Sequence, residues 1–150
     1  MLSFLKCLLA CAVAAAFAVA GQAANTQVSA DKPVINFRLP TFTPEGFRSW
    51  LVRGSEASFS PKDNLIDVKE LTLSVFSGKS DGRLVSMILS PSAKVRPGES
   101  VVTGDSTIRV INDEFEATGT QWLYAHKERK ISIQKKVRVT LHSEFKDILK

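Results

Sequence analysis

The chain has 150 residues, of which 44% are hydrophobic and 23% charged, and its formal net charge is +5. This length fits one domain with a sizeable core, and the spread of charged side chains excludes an intrinsically disordered chain. Glycine-rich phosphate loops and metal-ligand spacings are not found in the sequence, so we expect no cofactor.

The first 23 residues are predicted to be a secretory signal peptide. Lys6 precedes an apolar run of 14 residues from Cys7 to Ala20, and small residues follow as far as Ala23. A short N-terminal anchor is the alternative, although a spanning helix needs about 20 apolar residues. Both cysteines, Cys7 and Cys11, lie in this leader, so the exported chain is expected to contain no disulfide and to depend on its core.

Residues 24–33 are predicted to be a flexible lead-in, and residues 34–150 one all-β domain. Apolar and polar side chains alternate in this domain, as on strands with one buried face. In the most regular stretch, from Ile131 to Val139, only Lys135 breaks the alternation, and a bulge is expected there. A parity change at Glu70 predicts a second bulge. Turn sequences at 61–64, 78–82, 96–98 and 125–128 separate the strands, and no helical periodicity follows residue 24.

A short internal repeat relates the two ends of this domain. Each copy has a small residue, two apolar or aromatic residues at spacing two, and another apolar pair seven residues later. The copies are Gly54, Ala57, Phe59, Ile66 and Val68, then Gly119, Trp122, Tyr124, Ile131 and Ile133, with a fainter copy beginning at Ser90. The pattern predicts a strand, a bend at the small residue, a second strand, a turn and a third strand. Repetition of this unit indicates stacked, meandering strands.

This unit resembles the OstA-like repeat of the LptC/LptA family of lipopolysaccharide-transport proteins, and the likeness is closest to an LptC-type protein. The clearest segments run from Glu116 to Leu141 and from Trp50 to Phe76, and the resemblance covers most of residues 34–145. It implies an open β-jellyroll, a V-shaped stack of antiparallel strands that holds acyl chains on its inner face. The leader looks cleavable whereas LptC keeps a membrane anchor, so an LptC or an LptA role stays open.

The resemblance also implies the setting in which the chain works. Its partners would be lipopolysaccharide, an LptA-like periplasmic protein and the inner-membrane ABC transporter complex, met through edge strands. Self-association through edge strands is left open, and nucleic acid is not expected. The location would be the periplasm, with or without a tether to the inner membrane, and the process outer-membrane biogenesis in the cell envelope.

Two functional surfaces are predicted. The first is an apolar inner face for acyl chains, where about 0.8 kcal/mol per buried methylene gives on the order of 10 kcal/mol for one long chain. Its residues are Trp50, Val52, Leu73, Val75, Ile88, Phe115, Ile133, Val137 and Val139. The same residues would also suit a filled sandwich core. The second surface is a basic patch for headgroups or a partner, or else a solvated face, formed by Lys127, Arg129, Lys130, Lys136 and Arg138.

Two alternative functions fit parts of the sequence pattern. One is an exported β-sandwich that pairs its edge strands with a partner and binds no lipid. The other is a hydrolase acting through Asp113 and Glu116, which would need two carboxyl groups facing each other at about 5–9.5 Å. No second acidic cluster is evident, His126 and His142 are expected on the solvated surface, and the serines lack a paired histidine. We therefore predict no catalytic residue and no enzyme.

Overall fold

Seven strands follow one another along the part of the chain that this computed structural model describes, residues 32–142. They are β1 (Val34–Phe42), β2 (Arg48–Ser60), β3 (Leu65–Phe76), β4 (Leu84–Arg96), β5 (Val101–Ile111), β6 (Phe115–Ala125) and β7 (Lys130–Leu141). The predicted signal peptide, most of the lead-in and residues 143–150 lie outside the described residues.

Each strand pairs antiparallel with the next, so the sheet has the order β1-β2-β3-β4-β5-β6-β7, with β1 and β7 at its edges. The all-β prediction, a meander of antiparallel strands joined by short turns, is confirmed. Between residues 32 and 142 there is no helix long and apolar enough to cross a bilayer.

A line of irregular residues crosses this sheet near its middle. Non-glycine residues with φ between +50° and +54° lie on it at Asn36, Glu70, Gln121 and Lys136. An L-residue rarely adopts this conformation, and it interrupts the alternation of the strand that contains it. On β3, for example, the residues of the apolar core change from even to odd numbers across Glu70. The strands therefore bend along one line, which lets the sheet fold over.

Both predicted bulges lie on this line. Glu70 has φ +50°, and next to Lys135 the ladder between β6 and β7 changes register. There Thr118 pairs with Arg138 while Thr120 pairs with Lys135, so β7 has one residue more than β6 over the same interval. Lys136 takes up that extra residue at φ +53°.

The two repeat glycines occupy equivalent places beside the line. A Cβ atom on Gly54 would lie 2.3 Å from Val68 Cγ1, and one on Gly119 would lie 2.3 Å from Ile133 Cγ2. Each glycine therefore lets its strand approach the next strand more closely than any side chain would allow. The predicted bend between two separate strands is not found at these positions: Gly54 and Gly119 lie inside β2 and β6, each a single continuous strand, and they permit close approach beside the line of irregular residues.

The sheet folds over along this line of irregular residues, so that the two halves of the sheet on either side of the line face each other. Trp50 on β2 and Tyr124 on β6 are four strand positions apart, which in a flat sheet is about 19 Å at about 4.8 Å per strand. Their ring centroids are only 6.5 Å apart. The apolar side chains of β2 to β6 thereby bury one another in a single layer: Trp50, Val52, Ala57, Ile66, Val68, Leu71, Leu73, Val75, Ile88, Ala93, Val95, Val102, Ile108, Val110, Ala117, Trp122 and Tyr124.

Candidate functional site: the inner face and its closure

Five of the nine residues predicted to hold acyl chains lie in the packed layer. Trp50, Val52, Leu73, Val75 and Ile88 are between 0% and 5% exposed. Strand pairing brings four of them together, because Val52 lies opposite Leu73 and Trp50 lies opposite Val75. In this closed form protein atoms cover these side chains, and hydrocarbon reaches them only if the two halves of the sheet separate.

The other four predicted residues lie on β6 and β7, where the layer reaches the edge of the sheet. Phe115 and Ile133 are partly buried against the core. Val137 and Val139 are 52% and 54% exposed, and Leu141, the next inner-face residue along β7, is 50% exposed. Val139 lies opposite the buried Ala117, so this exposed strip continues the buried layer without a break. The inner face thus has a closed part and an open part.

The predicted basic residues are exposed and fall into two groups rather than one patch. Lys127, Arg129 and Lys130 lie at the turn before β7, while Lys136 and Arg138 lie in its second half. Lys130 and Lys136 are six positions apart along the strand, which corresponds to about 20 Å. A single anionic headgroup would not contact both groups at once.

A polar cluster that the sequence analysis missed closes one corner of the fold. His126 Nε2 is hydrogen-bonded to Ser49 Oγ at 2.6 Å, and its Nδ1 to the Tyr124 hydroxyl at 2.7 Å. The imidazole ring also stacks on Trp50, with ring centroids 5.1 Å apart and planes 13° apart. The prediction that His126 is solvated was therefore wrong. Its turn position gave no sign of β2, which is 77 residues away in the chain.

This environment changes the acid–base properties of the cluster. Burial, and secondarily the positive charge of Arg129, lowers the pKa of His126 below its ordinary value. Burial raises the pKa of Tyr124 to about 12. Both groups are consequently uncharged at neutral pH. Neutral imidazole has one donor and one acceptor nitrogen, and hydroxyl groups satisfy either, so both hydrogen bonds form in either tautomer.

Two buried donors in the packed layer are left unpaired. The indole nitrogens of Trp50 and Trp122 have no hydrogen-bond partner within residues 32–142. A buried unpaired N–H group costs about 1–3 kcal/mol. Closure of the layer is therefore less favourable than its apolar area alone would indicate.

Of the two carboxylates considered for hydrolysis, only Glu116 lies on the sheet, on its other face. Glu116 forms an ion pair with Arg109, with Oε1 and Nε 2.6 Å apart, and the bond lowers the pKa of Glu116. Asp113 lies in the turn between β5 and β6, and His142 is exposed beyond β7. No acidic pair across a cleft is formed by these groups, so they offer no support for glycoside hydrolysis.

One antiparallel sheet, folded over a single apolar layer and open at two edge strands, defines a β-jellyroll module with a hydrophobic interior. The chain belongs to the LptC family: the family model described as "Lipopolysaccharide-assembly, LptC-related" matches residues 18–142. No curated protein matches the chain. The predicted resemblance to an LptC-type protein is confirmed, and membership implies a role in lipopolysaccharide transport in the cell envelope.

Proposed function

We propose that this protein conveys lipopolysaccharide by holding its acyl chains between the two halves of the folded sheet. The exposed inner-face strip on β7, formed by Val137, Val139 and Leu141, carries the proposal. These side chains extend the buried apolar layer to the molecular surface, where an arriving acyl chain contacts them first. Each methylene that moves from water into the layer contributes about 0.8 kcal/mol.

Full burial of an acyl chain requires the layer to open, because Trp50, Val52, Leu73, Val75 and Ile88 are already covered. The hydrocarbon then replaces contacts between the two halves of the sheet. Opening also frees the two unpaired indole N–H groups for water or for a ligand carbonyl, which offsets part of its cost. In this proposal the lipid-binding site therefore forms only in an open conformation of the core.

Val139→Asp provides the direct test. Val139 is half-exposed, so the charge should leave the fold intact while placing a carboxylate where hydrocarbon would pass. We expect purified protein to bind lipopolysaccharide at least tenfold more weakly, which corresponds to about 1.4 kcal/mol. Thr140→Asp is the matched control, since Thr140 is the next residue on β7 and lies opposite Glu116 on the other face. Equal binding by both variants would exclude the inner face as the lipid site.

The partner contacts in this proposal use the edge strands. β1 and β7 each have one side unpaired in the sheet and can add a strand from a neighbour. We propose an LptA-like periplasmic protein and the inner-membrane ABC transporter complex as those neighbours, and a periplasmic location with or without an inner-membrane tether. The division into a leader (1–23), a lead-in (24–33) and a β domain (34–150) belongs to the same proposal. Mass determination of the exported form, with photo-crosslinking from β1 and β7, tests it.

The basic side chains have an accessory role in this scheme. Arg138 faces away from the apolar strip, as Thr140 does, and Lys136 lies at the irregular position of the same edge strand, so we assign both to phosphate groups that reach round the open edge of the sheet. Lys127, Arg129 and Lys130 lie at the far end of β7 and are assigned to a partner instead. Exposed charge contacts contribute only about 0–1 kcal/mol, so the apolar strip determines affinity. We propose no catalytic role for the chain.

A second candidate function is an edge-strand interaction module without lipid binding. The closed core favours it, because five of the nine predicted lipid-contacting residues already have protein partners. This function requires that lipopolysaccharide binding is undetectable in the wild-type protein, while crosslinking through β1 or β7 still captures a neighbour.

A further inference from the structure

We infer that Ser49, His126 and Tyr124 form a clasp that holds the folded sheet closed, and that its release admits acyl chains to the inner face. The inference rests on the proposed lipid-binding function and names the element that regulates it. Its basis is the position of the cluster: it joins strands that are not neighbours in the sheet.

The topology shows why this corner controls closure. β2 and β6 run in the same direction, yet Ser49 lies at the start of β2 and Tyr124 at the end of β6. The start of β2 and the end of β6 lie on opposite sides of the line of irregular residues, so their meeting at His126 joins the two halves of the sheet that the bend brings together. A contact of this kind does not support either half by itself; it opposes their separation.

A second contact joins the same two corners. Arg129, in the turn after β6, donates from Nη2 to the carbonyl oxygen of Ser77 at 3.2 Å. Ser77 directly follows the end of β3, and Ser49 lies near the start of β2. Because these strands are antiparallel neighbours, Ser77 and Ser49 lie at the same corner of the sheet. The backbone N–H of His126 also donates to the carbonyl of Ser100 at 3.0 Å, which fixes the turn that carries the imidazole. The corner is therefore held by directional hydrogen bonds, in contrast to the apolar layer beside it.

These bonds are well suited to release because each can be replaced by water. The His126 ring is only partly buried, and its two partners are hydroxyl groups at the rim of the layer. Trp50 links the clasp to the interior, since it stacks on His126 and also lies opposite Val75 in the core. Movement of the imidazole would uncover one face of this indole, whose N–H has no partner in the closed form. Release of the clasp thus begins to open the predicted lipid surface.

The first test compares His126→Ala with His142→Ala in the full-length protein. The clasp predicts faster amide hydrogen exchange at the start of β2 and the end of β6 in His126→Ala alone, whether or not lipid is present. It further predicts at least threefold faster uptake of a pyrene-labelled 16-carbon fatty acid. His142 is exposed and lies outside the sheet, so its variant should match the wild type in both measurements.

A crosslink covers the case in which His126→Ala weakens the fold generally. In a Cys7→Ser and Cys11→Ser background, Ser49→Cys and His126→Cys are joined by a short, cleavable bifunctional thiol reagent. We expect uptake of the same probe to slow at least tenfold, and to recover when the linker is cleaved. The control crosslink joins Ser58→Cys to Asp67→Cys, which pair across neighbouring strands and do not bridge the fold.

The outcomes separate the clasp from the function on which it rests. If the crosslink between positions 49 and 126 does not change the rate of probe uptake, the clasp is overturned, while lipid binding is still supported. Faster exchange in His126→Ala without faster uptake overturns it as a control on lipid entry. Failure of wild-type, variant and crosslinked protein to take up the probe and lipopolysaccharide overturns the proposed function, and with it the clasp.

Discussion

The third and seventh strands are built from the same repeat, yet one is buried and the other is not. Leu73 on β3 lies opposite Val52, and Val139 on β7 lies opposite Ala117. The two places are equivalent because Val52 and Ala117 each precede their repeat glycine by two residues. Leu73 is 0% exposed and Val139 is 54% exposed. The difference comes from position in the sheet: β3 has β4 on its other side, whereas β7 is an edge strand. One sequence pattern therefore supplies core in one copy and accessible apolar surface in the other.

This comparison indicates how one module combines stability with lipid access. A chain that buried both copies fully would be stable but closed, and one that exposed both would aggregate.

Truncation of the two equivalent residues should have very different effects. Leu73→Ala removes a fully buried side chain and is expected to lower the free energy of unfolding by about 2–5 kcal/mol. Val139→Ala should change it by less than about 1 kcal/mol, because water already reaches half of that side chain. Urea unfolding followed by tryptophan fluorescence measures both. Similar losses would show that β7 is packed as firmly as β3.

The repeat glycines give a finer comparison. An added Cβ at Gly54 or Gly119 would clash with Val68 or Ile133, each at 2.3 Å, and overpacking of this kind typically costs about 1–3 kcal/mol. We expect Gly54→Ala to cost more than Gly119→Ala, because Val68 is 2% exposed and confined whereas Ile133 lies on an edge strand. Thermal unfolding of both variants tests the order. Gly98→Ala serves as the control, since its added Cβ would meet only the side-chain amide of Asn64, at 3.0 Å.

The clasp residues should make stability depend on pH in both directions. The lowered pKa of His126 means that the unfolded chain takes up a proton first as the pH falls below 6.5, so stability decreases there. Tyr124, with its pKa raised to about 12, loses its proton first in the unfolded chain, so stability also decreases as the pH rises from 10 towards 12. Unfolding midpoints measured across this range should show both losses.

Single substitutions assign each loss of stability to one residue. His126→Gln should reduce the loss below pH 6.5, the acid limb of the profile, and keep the loss above pH 10. Tyr124→Phe should keep the acid limb and reduce the loss above pH 10. An acid limb that is unchanged in His126→Gln would assign the titration to another group and remove His126 from the account.

Local pattern predicted much of this fold because strands and turns depend on near neighbours in the chain. The alternation around Ile131 to Val139, the turns, and the irregularities at Glu70 and Lys135 all have local causes, and the structure contains them. The repeat also singled out Gly54 and Gly119, although these glycines allow neighbouring strands to approach closely and do not separate two strands. Family resemblance added the jellyroll, which alternation alone does not distinguish from other β architectures.

The sequence pattern did not predict the properties that depend on how the sheet folds over. The inner-face residues were identified as one surface, but the division between the buried Leu73 and the exposed Val139 follows from sheet position. The basic residues were treated as one patch because they are close in sequence, although an extended strand separates Lys130 from Lys136. His126 was assigned to solvent because its partner Ser49 comes from a distant strand. Each of these properties arises from contacts between residues far apart in the chain.

The smallest expected effect concerns the face of the sheet that points away from the apolar layer. The Arg109 and Glu116 side chains pair there at 54% and 29% exposure, and solvent and salt screen the attraction at such a partly exposed site. Glu116→Gln should therefore leave the unfolding midpoint and lipopolysaccharide binding unchanged within error, and any residual difference should vanish at high salt. If lipid binding fell as far in Glu116→Gln as in Val139→Asp, the inner face would not be the binding surface of β6 and β7. The two variants therefore test, on neighbouring strands, whether lipid recognition follows the side of the sheet that a residue faces.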